Sequence, residues 1–115
     1  MAEPHDVPTM AEMVEAIREW LERDVMTSGE ARLRFHGRVA ANMLAMVERE
    51  LELGPSHAAA HAARLAALGV HDDRQLASAI RDGSLDDRLD EVRAAVRASV
   101  IAKLEVANPR YLTSS

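Results

Sequence analysis

At 115 residues, 48% apolar and 29% charged, the chain is long enough for one globular domain with a core and too apolar for a disordered one. Its net charge of -5 excludes a general nucleic-acid binder, whose footprint is basic, and its lack of cysteine excludes disulfides, a thiolate nucleophile and cysteine-based metal sites. Only 3% is aromatic, so a core has to be made of Leu, Val, Ile, Met and Ala, a palette suited to closely packed helices.

Residues 1–8 read as an arm, because Pro4 and Pro8 forbid an early helix and restrict the residues before them. The polar start MAEPHDVPTM does not resemble a leader, and no apolar run approaches a membrane span. The cytoplasm is therefore the expected compartment, with no membrane partner. Thr9 and Glu12 form a capping-box pattern that starts a first helix near Met10. Met10, Met13, Val14, Ile17, Trp20, Leu21 and Val25 make its apolar stripe. The methionines read as core filler and Trp20 as a ring packed between helices, or, if exposed, as an interface anchor.

Ser28 and Gly29 mark a break, after which a second helix is expected from about Glu30 to Leu53, stopped by Gly54-Pro55. Leu33, Ala40, Met43, Leu44, Val47 and Leu51 form its stripe, with His36 and Gly37 inside it. Ser56 is positioned to cap a third helix over His57–Leu68, closed by Gly69. Asp72 is positioned to cap a fourth over Asp73–Asp82, closed by Gly83. Ser84 with Asp87 would start the last long helix, which runs to about Ala107 on Leu89, Val92, Val96, Val100 and Leu104 before Asn108-Pro109 stops it. No segment alternates with period two. The expectation is an all-α helical bundle of about five helices over 9–108, three long and antiparallel and two short, with 109–115 as a tail.

Few constellations point to chemistry. His57 and His61 share a helix face and suit one metal ion, but HAAAH lacks the glutamate of HExxH and a third ligand at a diagnostic spacing, so two surface histidines is the simpler reading. His5-Asp6 is open to an acid–base role or to docking on a partner, and His36 to a core or a ligand role. No serine stands in a nucleophile elbow, and no phosphate loop or dinucleotide fingerprint occurs. Neither a catalytic residue nor a metal or cofactor site is assigned. Arg34, Arg38 and Asn42, at i, i+4 and i+8, form a row near the start of the second helix, where the helix dipole disfavours cations. They either pair with acids of the first helix, such as Glu15, Glu19 or Glu22, or bind an anion or an acidic partner. Arg110 and Tyr111 in the tail are further docking candidates.

Three stretches, PHDVPTMAEMVEAIREWLERDV, RLRFHGRVAANMLAMVERELELG and VRASVIAKLEVANPRYL, resemble a family of short all-helical bacterial proteins. The runs PHD, RFHxRVAAN and NPRY carry the likeness, while residues 55–85 match less specifically. Members of that family are encoded beside aminoglycoside-phosphotransferase-like kinases and acyl-CoA dehydrogenase-like proteins, in settings such as levulinate catabolism. The resemblance implies a non-catalytic accessory subunit of a kinase that phosphorylates a hydroxyacyl-CoA. It also implies a kinase partner and the dehydrogenase-like protein as a further one; the arginine row then either grips the kinase or contacts the phosphates of a CoA ester at the subunit boundary. The alternative is a self-associating helical module, such as a homodimer, with no metabolic substrate. A small enzyme built on His36 or on His5-Asp6 is the third reading.

Overall fold

The computed structural model describes residues 8–113, and all regular structure among them is helical. Five α-helices follow in order: α1 (Met10–Trp20), α2 (Ala31–Ala67), α3 (Asp73–Arg81), α4 (Leu89–Ala107) and α5 (Pro109–Thr113). The fold is an all-α helical bundle. A π-helical turn, Leu21–Val25, extends α1, and a 3-10 turn, Asp86–Arg88, precedes α4. The chain divides into two compact units after Glu52, so that α2 contributes to both.

In the first unit, α1 begins as its sequence requires. The Thr9 hydroxyl accepts from the Glu12 N–H at 3.1 Å, and the Glu12 carboxylate accepts from the Thr9 N–H at 2.8 Å. α1 then lies antiparallel to the first part of α2, with Arg18 beside Glu48 and Ala11 near Leu51. Small residues set this contact. Ala41 is 4% exposed, and Gly37 leaves so little room that an added Cβ would stand 2.7 Å from Val25 Cγ1. Leu21 is the other buried apolar residue of this unit.

In the second unit the end of α2 runs antiparallel to α4, since His57 meets Glu105, His61 meets Ser99 and the Ala67 carbonyl meets Arg88. Leu65, Leu68, Val70, Leu76, Leu85, Val92 and Ala95 form one buried cluster with contributions from α2, α3 and α4. Gly69 closes α2 in the left-handed region, φ 78°. Its N–H donates to Ala66 and the Val70 N–H to Leu65, both at about 3 Å, a Schellman arrangement that also buries Val70 against the helix end. Asp72 caps α3 through Gln75 as expected, and Gly83, φ 83°, follows its end.

Three expected boundaries are corrected. The second and third predicted helices are one: α2 passes through Gly54-Pro55 without a stop. Proline disfavours a helical residue before it partly through that residue's Cβ, and Gly54 has none. Pro55 still removes the N–H that Leu51 would receive, and Ser56 Oγ turns to the Leu53 carbonyl at 3.2 Å instead of capping a new helix. Ser84 does not start the last helix either. Its N–H is taken by Asp82 and its hydroxyl by the Ala79 carbonyl, so α4 begins only at Leu89, after the 3-10 turn. The segment after Asn108 is not a plain tail, because proline at a first helical position leads into α5.

Candidate interaction surfaces

The largest departure from the sequence reading concerns the apolar stripes. On α1, Met10, Met13, Ile17 and Trp20 are exposed, Trp20 by 49%. On the first part of α2, Leu33, Phe35, Val39, Met43, Met46 and Val47 are exposed, Met43 by 61%. The methionines are therefore not core filler, and Trp20 is not packed between helices. The cause is angular. Along α1 and its π-helical turn the contact with α2 is marked by Arg18 on Glu48 and by Val25 against Gly37, with Leu21 and Ala41 buried in the same unit. At 100° per residue only one edge of the first stripe, Leu21 and Val25, reaches that contact, and Met10, Met13, Ile17 and Trp20 turn away from it. Single exposed apolar residues are ordinary, but these stand in rows along one face of each helix.

His36 follows the same correction. Its spacing puts it in the apolar stripe, yet it is exposed, and the Phe35 ring meets it edge-on with centroids 5.5 Å apart. The arginine row divides. Arg34 is half-buried and its Nη1 donates to the Ser28 carbonyl at 2.8 Å, fastening the loop that precedes α2. Arg38 and Asn42 are exposed, and among the described residues their side chains take no hydrogen bond or ion pair. The expected pairing of these arginines with acids of the first helix is replaced by its mirror image. Arg18 of α1 forks onto Glu48 of α2, at 2.5 and 3.3 Å, and also holds Glu22 at 2.8 Å. The Glu48 hydrogen bond raises the Arg18 pKa; partial burial opposes it, and the charges of Glu48, Glu22 and Glu19 add to the rise. Beside this fork, Ala11, Glu12, Glu15, Glu48, Leu51 and Glu52 line a shallow acidic groove, and none of them is a histidine.

In the second unit His57 and His61 do not face a common ion. His57 Nε2 lies 3.2 Å from Glu105, while His61 Nε2 lies 2.8 Å from Asp73 and its Nδ1 3.2 Å from Ser99 Oγ. No group of three metal-ligating side chains occurs among the described residues. The serine, histidine and aspartate in line resemble a nucleophilic triad only in composition. Ser99 Oγ also lies 3.1 Å from the Ala95 carbonyl, and backbone N–H groups inside a helix are already committed to i−4 carbonyls and cannot serve as an oxyanion hole. What sequence reasoning missed is structural: two histidines one turn apart each tie α2 to another element. Arg110 and Tyr111 stand exposed on α5, in a different unit from the arginine row. His5 and Asp6 lie outside the described residues. No described helix is long and apolar enough to cross a membrane.

These features define an all-α protein with open apolar helix faces. The chain belongs to the DUF6285 family, a domain of unknown function, whose pattern matches residues 27–111. The matched region takes in RFHGRVAAN and NPRY and leaves out α1 and the PHD run. No curated protein and no solved structure matches the chain.

Proposed function

We propose that the chain is a non-catalytic accessory subunit of an aminoglycoside-phosphotransferase-like kinase that acts on a hydroxyacyl-CoA in short-chain acid catabolism. The observation that supports this reading is the open stripe of α1, Met10, Met13, Ile17 and Trp20, which no helix among the described residues covers. Tryptophan and methionine are enriched where partners are desolvated, and a helix laid in a groove is anchored at this i, i+3, i+7, i+10 spacing. The kinase supplies the ATP site and the transferred phosphoryl group. The small subunit contributes the α1 face, and Arg38 with Asn42 contributes polar contacts to an acidic rim or to the phosphates of the CoA ester, which the arginine fork suits. The dehydrogenase-like protein encoded nearby is a second partner in the same scheme.

Co-expression with the neighbouring kinase tests the proposal. The two proteins are expected to elute together, and Ile17→Glu with Trp20→Ala is expected to separate them while helicity by circular dichroism is kept. Separate elution of the unaltered proteins, with full kinase activity in the absence of this chain, overturns it. Arg38→Ala is expected to leave the complex assembled and to raise the KM for the CoA ester.

A further inference from the structure

We infer that the first part of α2 is also a self-pairing surface, on which a second copy of this chain lays its own α2 antiparallel about a two-fold axis near Ala41. One side of this part of α2 faces α1 and the opposite side is open. Arg34, Ala41 and Glu48 recur every seven residues, and of these Ala41 is buried and Glu48 bonds α1. The opposite side consists of Arg32, His36, Val39, Met43, Met46 and Glu50, spaced four, three, four, three and four apart. That is the a/d spacing of a helix-pairing seam, and all six residues are exposed.

The order of residues along this seam selects the occupant. In an antiparallel pair each a position faces a d position of the other helix. With the axis at Ala41, Arg32 meets Glu50 of the second copy, His36 meets Met46 and Val39 meets Met43, and the symmetry repeats each contact. Apolar side chains fill the centre, and opposite charges close both ends. The row beside the seam obeys the same symmetry: Leu33 falls near Val47 of the second copy, and Ala40 near its counterpart at the axis, where a small side chain lets the helices approach. A parallel pairing would instead set Arg32 on Arg32 and Glu50 on Glu50. The charge order along this part of α2, with Arg32, Arg34 and Arg38 first and Glu48, Glu50 and Glu52 later, complements a reversed copy of itself. A C2 contact of this kind is self-complementary by construction.

This inference does not depend on the kinase, because it concerns the full chain alone. Sedimentation equilibrium over a range of concentrations is expected to show a monomer–dimer equilibrium. Met43→Glu, which brings two carboxylates near the axis, is expected to leave a monomer with unchanged helicity. Arg32→Glu is expected to weaken self-association about tenfold, from two rim pairs turned repulsive. Adding Glu50→Arg to the same chain is expected to restore it, a rescue that misfolding would not give. Because the chain has no cysteine, register is open to a direct test. Residues 32 and 50 lie about 27 Å apart along one helix, so neither Arg32→Cys nor Glu50→Cys alone should crosslink, whereas a chain carrying both should yield a covalent dimer on mild oxidation. A monomer at every concentration, a dimer indifferent to Met43→Glu, or a covalent dimer from Arg32→Cys alone would overturn the inference.

Discussion

The two units of this chain bury their apolar residues very differently. The second holds a cluster of seven buried residues drawn from three helices and their connections, although Leu89, Val96 and Val100 of the expected α4 stripe are exposed, while the first buries only Leu21 and Ala41 and leaves most of two apolar stripes open. Both units contain helices of good propensity, and both use polar side-chain contacts between helices, Arg18 with Glu48 in the first and His57 with Glu105 in the second. The difference is that α3 crosses the α2–α4 hairpin and supplies Leu76 as a third wall, and nothing of that kind is present beside the α1–α2 hairpin among the described residues. Two helices enclose a line of contact, and it takes a third to enclose a volume. The second unit thus holds the larger apolar core of the two.

The largest effect that separates the units should come from the core. Leu65→Ala is expected to lose about 2–4 kcal/mol in urea unfolding, since it opens a cavity bounded by three elements, whereas Met43→Ala is expected to change the stability of the monomer by less than about 0.5 kcal/mol. Next is Gly37→Ala. The gain in helix propensity, about 1 kcal/mol, opposes the contact with Val25, whose branched side chain cannot easily turn aside, and a net loss of about 1 kcal/mol is expected from thermal melts. Arg18→Ala should cost about 1 kcal/mol, because the fork onto Glu48 is half-buried rather than solvated, and a double-mutant cycle with Glu48→Gln would isolate the pair. The smallest effect is on pH. Hydrogen bonds from the Thr9 backbone N–H, and then from its hydroxyl, hold the Glu12 carboxyl below its usual 4.5. A depressed carboxylate contributes its stabilisation fully above the unfolded value and loses it as pH falls through the folded one, so the start of α1 should fray only in acid below 4.5, which carboxyl NMR titration of Glu12 would follow.

Much of the fold is legible in local chemistry. Thr9 with Glu12, Asp72, Gly69 and Gly83 act where their side chains or their tolerance of positive φ say they should, because caps depend on residues only a few positions away. Gly54-Pro55 misleads because a stop signal and a tolerated interruption share the same two letters, and what tips the balance is the run of alanines that follows and the packing of Leu65 and Leu68 beyond it. Periodicity identifies the apolar stripes correctly but says nothing of what covers them, so the same pattern that buries Leu76 leaves Met13 open. The arginine row shows the limit most clearly. Arg34 spends its charge on the carbonyl of Ser28, a contact set by loop geometry, while Arg38, one turn on, faces water.

Pro55 gives α2 a missing rung, and that rung falls close to where the two units part. An amide ladder interrupted there transmits opening poorly, so the two halves of one helix should exchange their amide hydrogens as separate cooperative blocks. Deuterium should enter residues 31–52 through partial opening while the amides of Leu65 and Val92 wait for global unfolding. Pro55→Ala, by restoring the donor for Leu51, should draw the two rates together. A single helix would then be seen to belong to two folding units, with proline as the fuse between them.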